Sequence, residues 1–428
     1  MKIFILVLFI LTYVLIIALP KFKVYVTGAA AVIAAGALLI SGETSFTEVL
    51  LSVDYNVIMM LVGIMLTVGL FSESGMPNRL SDKLISKMPS AMAAVVLLSI
   101  ISGVVSAFVD NVATVLMLAP IGLAVAKKTG VSPVPVMISI AVSSNLQGAA
   151  TLVGDTTSIM LGGFANMSFF DFFFLDGKFS IFWAVELGAL LTIPVLLIVF
   201  RKHNKKLEYP SENVQVTTIV PTVLLLLNLA LLIAFSFIQE KSAYTNGIIC
   251  MTIGVVGVVY YVLRFKGDSA KKVLASVDFE TTFFLVFLFV IIFAVEEVGI
   301  IKDISELFIR VGDKNVFLLY TLIVFGSVLF SAFIDNIPYV ATMLPVIAGL
   351  TAGLPQVSPY LLYFGLLVGA TLGGNLTPVG ASANVVGIGI LRKEGYEVKL
   401  KDFLKIGLPF TLVAVLSGYL FVWLVWGM

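Results

Sequence analysis

Cysteine and histidine each occur once in the 428 residues, as Cys250 and His203. A single thiol excludes any disulfide within the chain, and with a single imidazole it excludes a Cys/His metal centre. Cys250 lies in an apolar run and reads as a buried, inert thiol. His203 lies in a basic loop and reads as solvated. Charge is scarce too: Asp, Glu, Lys and Arg make up 12% of the chain against 60% hydrophobic residues, with a net charge of +1. Lacking a basic surplus or tail, the chain is expected to have no nucleic-acid partner. It carries no Gly-x-x-x-x-Gly-Lys-Ser/Thr loop, so it hydrolyses no nucleotide by itself. A separate ATPase subunit is left open, and no cofactor is expected. Met1–Leu19 has no basic start beyond Lys2 and no small-residue cleavage site, so it reads as a retained span rather than a signal peptide.

What the sequence has in abundance is long apolar runs. Spanning a bilayer takes about 20 apolar residues, and the runs at 3–19, 24–40, 55–71, 181–200, 218–238, 245–263, 279–295 and 406–426 approach or exceed that length. Four longer runs are compound: 91–126 and 316–352 have two arms, and 133–166 and 360–391 are interrupted. The expected fold is an all-α polytopic membrane protein. Its partners are the lipid bilayer and a small solute, and its location is a cell membrane.

The basic residues give an orientation. Loops at 20–23, 72–90, 127–132, 201–217, 264–278 and 392–405 hold 20 of the 26 Lys and Arg, so they are expected in the cytoplasm. Lys2, Lys178, Lys241, Lys302, Arg310 and Lys314 fall outside. Both termini are then extracytoplasmic. This threading requires 91–126 and 316–352 each to enter and leave on one face, either as re-entrant hairpins or as pairs of full spans.

The chain also divides into two similar halves, expected at 1–205 and 218–428 around a cytoplasmic linker at 206–217. Each half holds three spans, a two-armed segment, an interrupted span and a final span. The series starts outside in the first half and inside in the second, which makes the repeats inverted. Ser-Ala-Phe-Val-Asp-Asn-Val at 106–112 returns as Ser-Ala-Phe-Ile-Asp-Asn-Ile at 331–337, and a proline follows each aspartate (Pro120 and Pro345). Asp54 matches Asp278, Thr151-x-Val153-Gly154 matches Thr377-x-Val379-Gly380, and Asp171-Phe172 matches Asp402-Phe403.

These landmarks carry the candidate site. A carboxylate at membrane depth costs at least a few kcal/mol unless it is solvated or paired, about 3 kcal/mol on insertion scales. Asp110-Asn111 and Asp335-Asn336, with Thr114 one turn on, are therefore expected to bind the transported ion or proton. The plainer role is that both aspartates cap the helices they precede. The Gly- and Asn-rich breaks Ser144–Ser158 and Gly373–Asn384 free backbone groups at depth, which is tolerated only inside protein or along a wet cavity. Within them Thr151, Thr377 and Ser382 offer hydroxyls, and Asn145, Asn375 and Asn384 offer amides. Gly154 and Gly380 mark close approach, and Asp155 adds a third acid that Ala381 replaces in the second half. The plainer role of the breaks is close packing of helices through small residues. No metal site is expected beyond transported Na+. Glu186, Glu296 and Glu297 are read as gates or surface charges near the outer interface.

At these residues the chain resembles the ion transporter superfamily, which includes arsenical pump membrane proteins, NhaD-type sodium/proton antiporters, the P protein and divalent anion:sodium symporters. Phe108–Pro120 resembles the Asp-Asn segment of the arsenical pump and P protein branch. Gly148–Asp155 resembles that branch's Gly-Thr-Ala-Thr-Leu-Ile-Gly-Asp, and Gly373–Gly380 resembles its second-half partner. The resemblance covers about 50–405. It implies a scaffold domain, a mobile transport domain, re-entrant hairpins with the Asp-Asn pairs at their tips, and a homodimer. Two departures stand out. Thr156-Thr157-Ser158 replaces the family's Pro-Pro-Asn, and Asp110-Asn-Val and Asp335-Asn-Ile replace the symporters' Ser-Asn-Thr tips. Two added carboxylates disfavour a dianionic cargo.

The expected function is secondary transport: a proton-coupled antiporter exporting a small inorganic solute, arsenite or antimonite first. Sodium/proton antiport through the same residues is the alternative. A sodium-coupled carboxylate or oxyanion symporter, a passive channel and an intramembrane aspartyl protease rank behind. The protease is disfavoured because Leu152-Val-Gly-Asp155 lacks the first glycine of Gly-x-Gly-Asp.

Overall fold

The computed structural model describes residues 1–203, 214–238, 242–265, 273–312, 315–354 and 357–428. Most of the linker expected at 206–217, part of the basic loop 264–278, and Lys241 and Lys314 lie outside the described residues. The chain is almost wholly helical. Among the described residues, eight helices are long and apolar enough to cross a bilayer, and five more apolar helices are shorter.

One group of helices forms a frame through small residues. Tyr55–Glu73 crosses Thr245–Phe265 at Gly63, where an added Cβ would lie 2.3 Å from the carbonyl carbon of Cys250. Gly254 meets the carbonyl of Gly63, and the Asn56 side chain accepts a hydrogen bond from the Gly247 N–H at 2.8 Å. In lipid, where burial alone gives helices little reason to associate, such backbone-to-backbone approach supplies the attraction. Lys23–Ser41 packs on Phe279–Glu297, with Gly28 against the ring of Phe287.

The second group contains the two-armed and interrupted segments. Ala91–Ser106 and Asn111–Thr129 form one helical hairpin, and Val316–Ser331 and Asn336–Ala352 form the other. The turn of the first is buried: Ala107 is 3% and Val109 1% exposed. Each second arm starts at its aspartate, whose carboxylate caps it. Asp110 accepts from the N–H groups of Val112 (3.0 Å) and Ala113 (3.2 Å), and Asp335 from that of Ile337 (3.5 Å). The first interrupted segment is helical over Pro133–Gly148 and Thr156–Phe164, with the break between. The second runs from Pro359–Leu367 through a π turn (Val368–Leu372) and a 3-10 turn (Gly374–Leu376) to Ser382–Lys393.

The two halves repeat their contacts as well as their residues. The Thr151 hydroxyl donates to the Ala107 carbonyl, and the Thr377 hydroxyl donates to the Ala332 carbonyl. A Cβ on Gly154 would fall 2.6 Å from the Gly148 carbonyl oxygen, and one on Gly380 2.6 Å from that of Gly374. Ser158 and Asn384 donate to those same two carbonyls, each at 3.1 Å. Asp54 caps Val57 (3.0 Å), and Asp278 caps Thr281 (2.9 Å).

Two stretches outside the expected spans are helices, one inside the loop expected at 72–90 and one between the runs 279–295 and 316–352. Met76–Ile85 and Ile300–Gly312 are amphipathic: Ile301 and Ser305 are buried one turn apart, while Lys302, Asp303, Glu306 and Arg310 face out. Their charges hid a 3.6-residue period from a reading based on long apolar runs.

Candidate functional site

The hairpin tips and the helix breaks meet at one polar centre. Asn111 of the first tip donates to Asn145 Oδ1 at 3.1 Å, and Ser144 donates to the Asn111 carbonyl at 3.0 Å. Asn145 in turn donates to the Thr371 carbonyl (2.7 Å) and to Asn375 Oδ1 (3.1 Å), and Asn375 returns a bond to the Val142 carbonyl at 2.8 Å. The Asn145–Asn375 pair therefore ties the two interrupted segments together, both residues at 0% exposure.

Asp155 makes the other cross-link. It caps the helix Thr156–Phe164 through the Thr156 N–H (2.7 Å). It also accepts from the Thr157 hydroxyl (3.2 Å) and from the Asn336 amide of the second tip (3.3 Å). Asp335 accepts from the Ser382 hydroxyl at 3.0 Å. First half thus reaches second tip, and second break reaches second tip, through carboxylate oxygens. A buried polar network is stable only when its members are satisfied, and these contacts satisfy most of it; the Asn384 Oδ1 is left without a partner.

Beside this centre lies a cavity of about 650 Å³. Asp110, Asn111, Asp155, Asn336 and Ser382 line it from the hairpin side, and Asp278, Ser276 and Met65 line it from the frame. It extends to Lys23, the one cation among the described lining residues, and to Ser72, near the end of the helix Tyr55–Glu73. Asp110 is within electrostatic reach of Asp278 and Asp335, and Asp155 of Asp110 and Asp335. The remaining expected residues (Thr114, Asn145, Thr151, Gly154, Asp335, Asn375, Thr377, Gly380 and Asn384) are not among its lining residues. The hydroxyls of Thr151 and Thr377 hold the tips to the breaks, and Gly154 and Gly380 leave room for backbone.

Sequence reasoning missed Asp278 as a lining acid. It was matched to Asp54 only as a landmark of duplication, although an aspartate just before an apolar span already signals a cap at a helix mouth. It also missed the Thr157–Thr371 hydroxyl contact (3.1 Å) between the halves.

Comparison with known proteins fits this arrangement. Residues 6–369 match the CitMHS family, described as citrate transporter. The chain belongs to this family of the ion transporter superfamily. An uncharacterized transporter of Mycobacterium tuberculosis is 30% identical over 430 residues, covering 99% of both chains. The human P protein is 27% identical over 465 aligned residues, covering 90% of this chain and 55% of that protein, so the chain spans about half its length. Among solved structures, the Alcanivorax borkumensis YdaH transporter superposes with a TM-score of 0.58 at 16% identity, covering 85% of this chain and 84% of that one. Neisseria gonorrhoeae MtrF, described as belonging to a class of antimetabolite efflux pumps, gives 0.54 at 14% identity over 86% and 80%. The two structures share the fold. The chain is a multi-pass secondary transporter.

Proposed function

We propose that this transporter is a proton-coupled antiporter that exports a small inorganic solute, with arsenous or antimonous acid as the first candidate. One observation carries the reading: three aspartates, Asp110, Asp155 and Asp278, line a single cavity in which Lys23 is the one cation among the described lining residues, and Asp335 accepts a hydrogen bond from the lining Ser382. A proton bound among like-charged carboxylates that face one cavity relieves their mutual repulsion. A neutral hydroxide can donate its O–H groups to the carboxylates without adding charge. A tricarboxylate would add repulsion of about 4 kcal/mol per close charge pair at an effective dielectric of 20.

In this account Asp110 and Asp335 exchange protons as the site alternates between faces. The hairpins and breaks act as the moving part against the frame, and the tips re-enter from opposite faces as inverted repeats. On this reading the Lys23 end of the cavity faces the cytoplasm of a plasma-membrane protein with extracytoplasmic termini, supported by the bias of Lys and Arg to the loops on that side, and the frame is the surface for a homodimer.

The test is a flux panel in proteoliposomes with an imposed proton gradient, offering arsenite, antimonite, sodium and citrate. Uphill movement of arsenite or antimonite that collapses with the gradient is expected. A response to sodium alone would replace this reading with sodium/proton antiport through the same aspartates. The description attached to the family favours a second reading, sodium-coupled carboxylate symport, and citrate uptake driven by sodium would establish that instead. Equilibration without uphill movement would make the protein a channel.

A further inference from the structure

A second cavity, of about 400 Å³, lies at the opposite ends of the two frame helices that wall the first. The aspartate-lined cavity takes the later turns of Tyr55–Glu73, from Met65 to Ser72, and the start of Phe279–Glu297, with Asp278 and Thr281. The second takes the start of Tyr55–Glu73, with Asp54, and the later turns of Phe279–Glu297, from Phe289 to Glu296. Each helix has 19 residues. At 1.5 Å per residue its ends are roughly 28 Å apart, close to the bilayer's hydrocarbon thickness of about 30 Å. The two cavities therefore face opposite sides of the membrane.

They are also duplicates in sequence. Leu51–Tyr55 stands in the second where Ala275–Phe279 stands in the first. Phe289, Ile292, Phe293 and Glu296 match Met65, Val68, Gly69 and Ser72 at the same spacing, the one that separates Asp54 from Asp278. Met160 matches Val386 at the spacing of Thr151 from Thr377. What reaches the cavities differs. Asp110, Asn111, Asp155, Asn336 and Ser382 line the first, and none of them lines the second. The polar centre is thus open to one side only.

Beside the second cavity the helix Thr156–Phe164 closes on the frame. It does so at Gly163, where an added Cβ would lie 2.4 Å from Val57 Cγ2 and 2.7 Å from Asp54 Oδ2. The same seat in the other half is empty. A Cβ added to Gly389, the counterpart of Gly163, would meet nothing within 4 Å. Asp278 and Thr281, the counterparts of Asp54 and Val57, line the open cavity instead. Gly389 lies inside the helix Ser382–Lys393 and outside the left-handed region. Neither packing nor conformation calls for glycine there, although glycine weakens a helix interior.

We propose that the second cavity is the opposite mouth of the transport path. It opens when Gly163 leaves Asp54 and Val57 while Gly389 seats on Asp278 and Thr281. Repeats of opposite orientation make the two seats equivalent, so the contact at one describes the contact at the other. This rests on the secondary-transport reading and deepens it, and it depends on neither the cargo nor the coupling ion. An alanine at 389 is free of contact in the present state and overpacks the other, which shifts the population toward the present one.

The test uses two cysteines in a Cys250→Ala background, in proteoliposomes without cargo. Met160→Cys is 2% exposed here and lines the second cavity, so it reports the other state through a membrane-impermeant thiol reagent added on the face away from Lys23. Thr156→Cys reports the present state from the Lys23 face. Gly389→Ala should slow labelling of Met160→Cys at least roughly fivefold, while Thr156→Cys labels no more slowly and the thermal midpoint holds. Gly163→Ala should act in the opposite sense, because its Cβ overpacks the present state. A Met160→Cys that stays unlabelled from that face, equal labelling with and without Gly389→Ala, or a midpoint lowered by Gly389→Ala overturns the proposal. A solute panel without uphill movement, found together with the expected labelling rates, would dismiss the cargo and keep the two mouths.

Discussion

Asn145→Ala removes the side chain that joins the first hairpin tip to both interrupted segments. Three groups lose a partner: the Asn111 amide, the Thr371 carbonyl and Asn375 Oδ1. Asn111 lines the cavity and can be rehydrated. Thr371 and Asn375 are at 0% exposure and cannot. At about 1–3 kcal/mol for each stranded group, the loss is about 2–6 kcal/mol. For a chain this long the size scaling gives roughly 1–2 °C per kcal/mol, hence a fall of roughly 2–12 °C. The protein carries its own reporter. Cys250 is the sole thiol and is fully buried, so its reaction with a fluorogenic maleimide on heating reads unfolding. Asn375→Ala should cost a similar amount. The double variant should cost less than the sum, by about 0.5–3 kcal/mol, because both singles break the same bond. Strictly additive midpoints, or an unchanged Asn145→Ala, would refute the cross-link.

Further outcomes follow from other contacts. Gly63→Ala should lower the thermal midpoint by the equivalent of at least about 1–3 kcal/mol, since its Cβ meets the Cys250 backbone, whereas Gly36→Ala, with open space around it, should change it little. Gly380→Ala, whose Cβ would meet the carbonyls of Gly374 and Ser331, should cut flux more than tenfold even where folded protein is recovered, measured in proteoliposomes. In a Cys250→Ala background, Thr156→Cys should react with a membrane-impermeant thiol reagent added on the face that carries Lys23 and be protected by transported solute. Asp278→Asn should slow transport while leaving the fold intact, because the cap to Thr281 survives in the amide.

Some of this was visible in the sequence, and the rest was hidden for physical reasons. Asp110 and Asp335 stood out because an ionisable residue inside an apolar run is costly and rare. The breaks stood out because glycine and proline weaken helices wherever they fall. The Asn145–Asn375 bond left no trace, since it depends on how two interrupted segments cross, and amide pairing has no spacing signature. The roles of Thr151 and Thr377 were similarly concealed: a hydroxyl that can coordinate an ion and one that ties a turn in place look alike until the carbonyls of Ala107 and Ala332 are located. Met76–Ile85 and Ile300–Gly312 were obscured by their charge, which marks a loop and an interfacial helix equally well.

The most direct measurement is proton-driven flux in inverted vesicles bearing wild type, Asp110→Asn, Asp335→Asn or both. Each amide keeps the cap and the shape of its tip while deleting an exchangeable proton. The account predicts that each single variant loses most coupled flux and that the double variant is inert, with thermal midpoints near wild type. Transport at the wild-type rate by the double variant would contradict it.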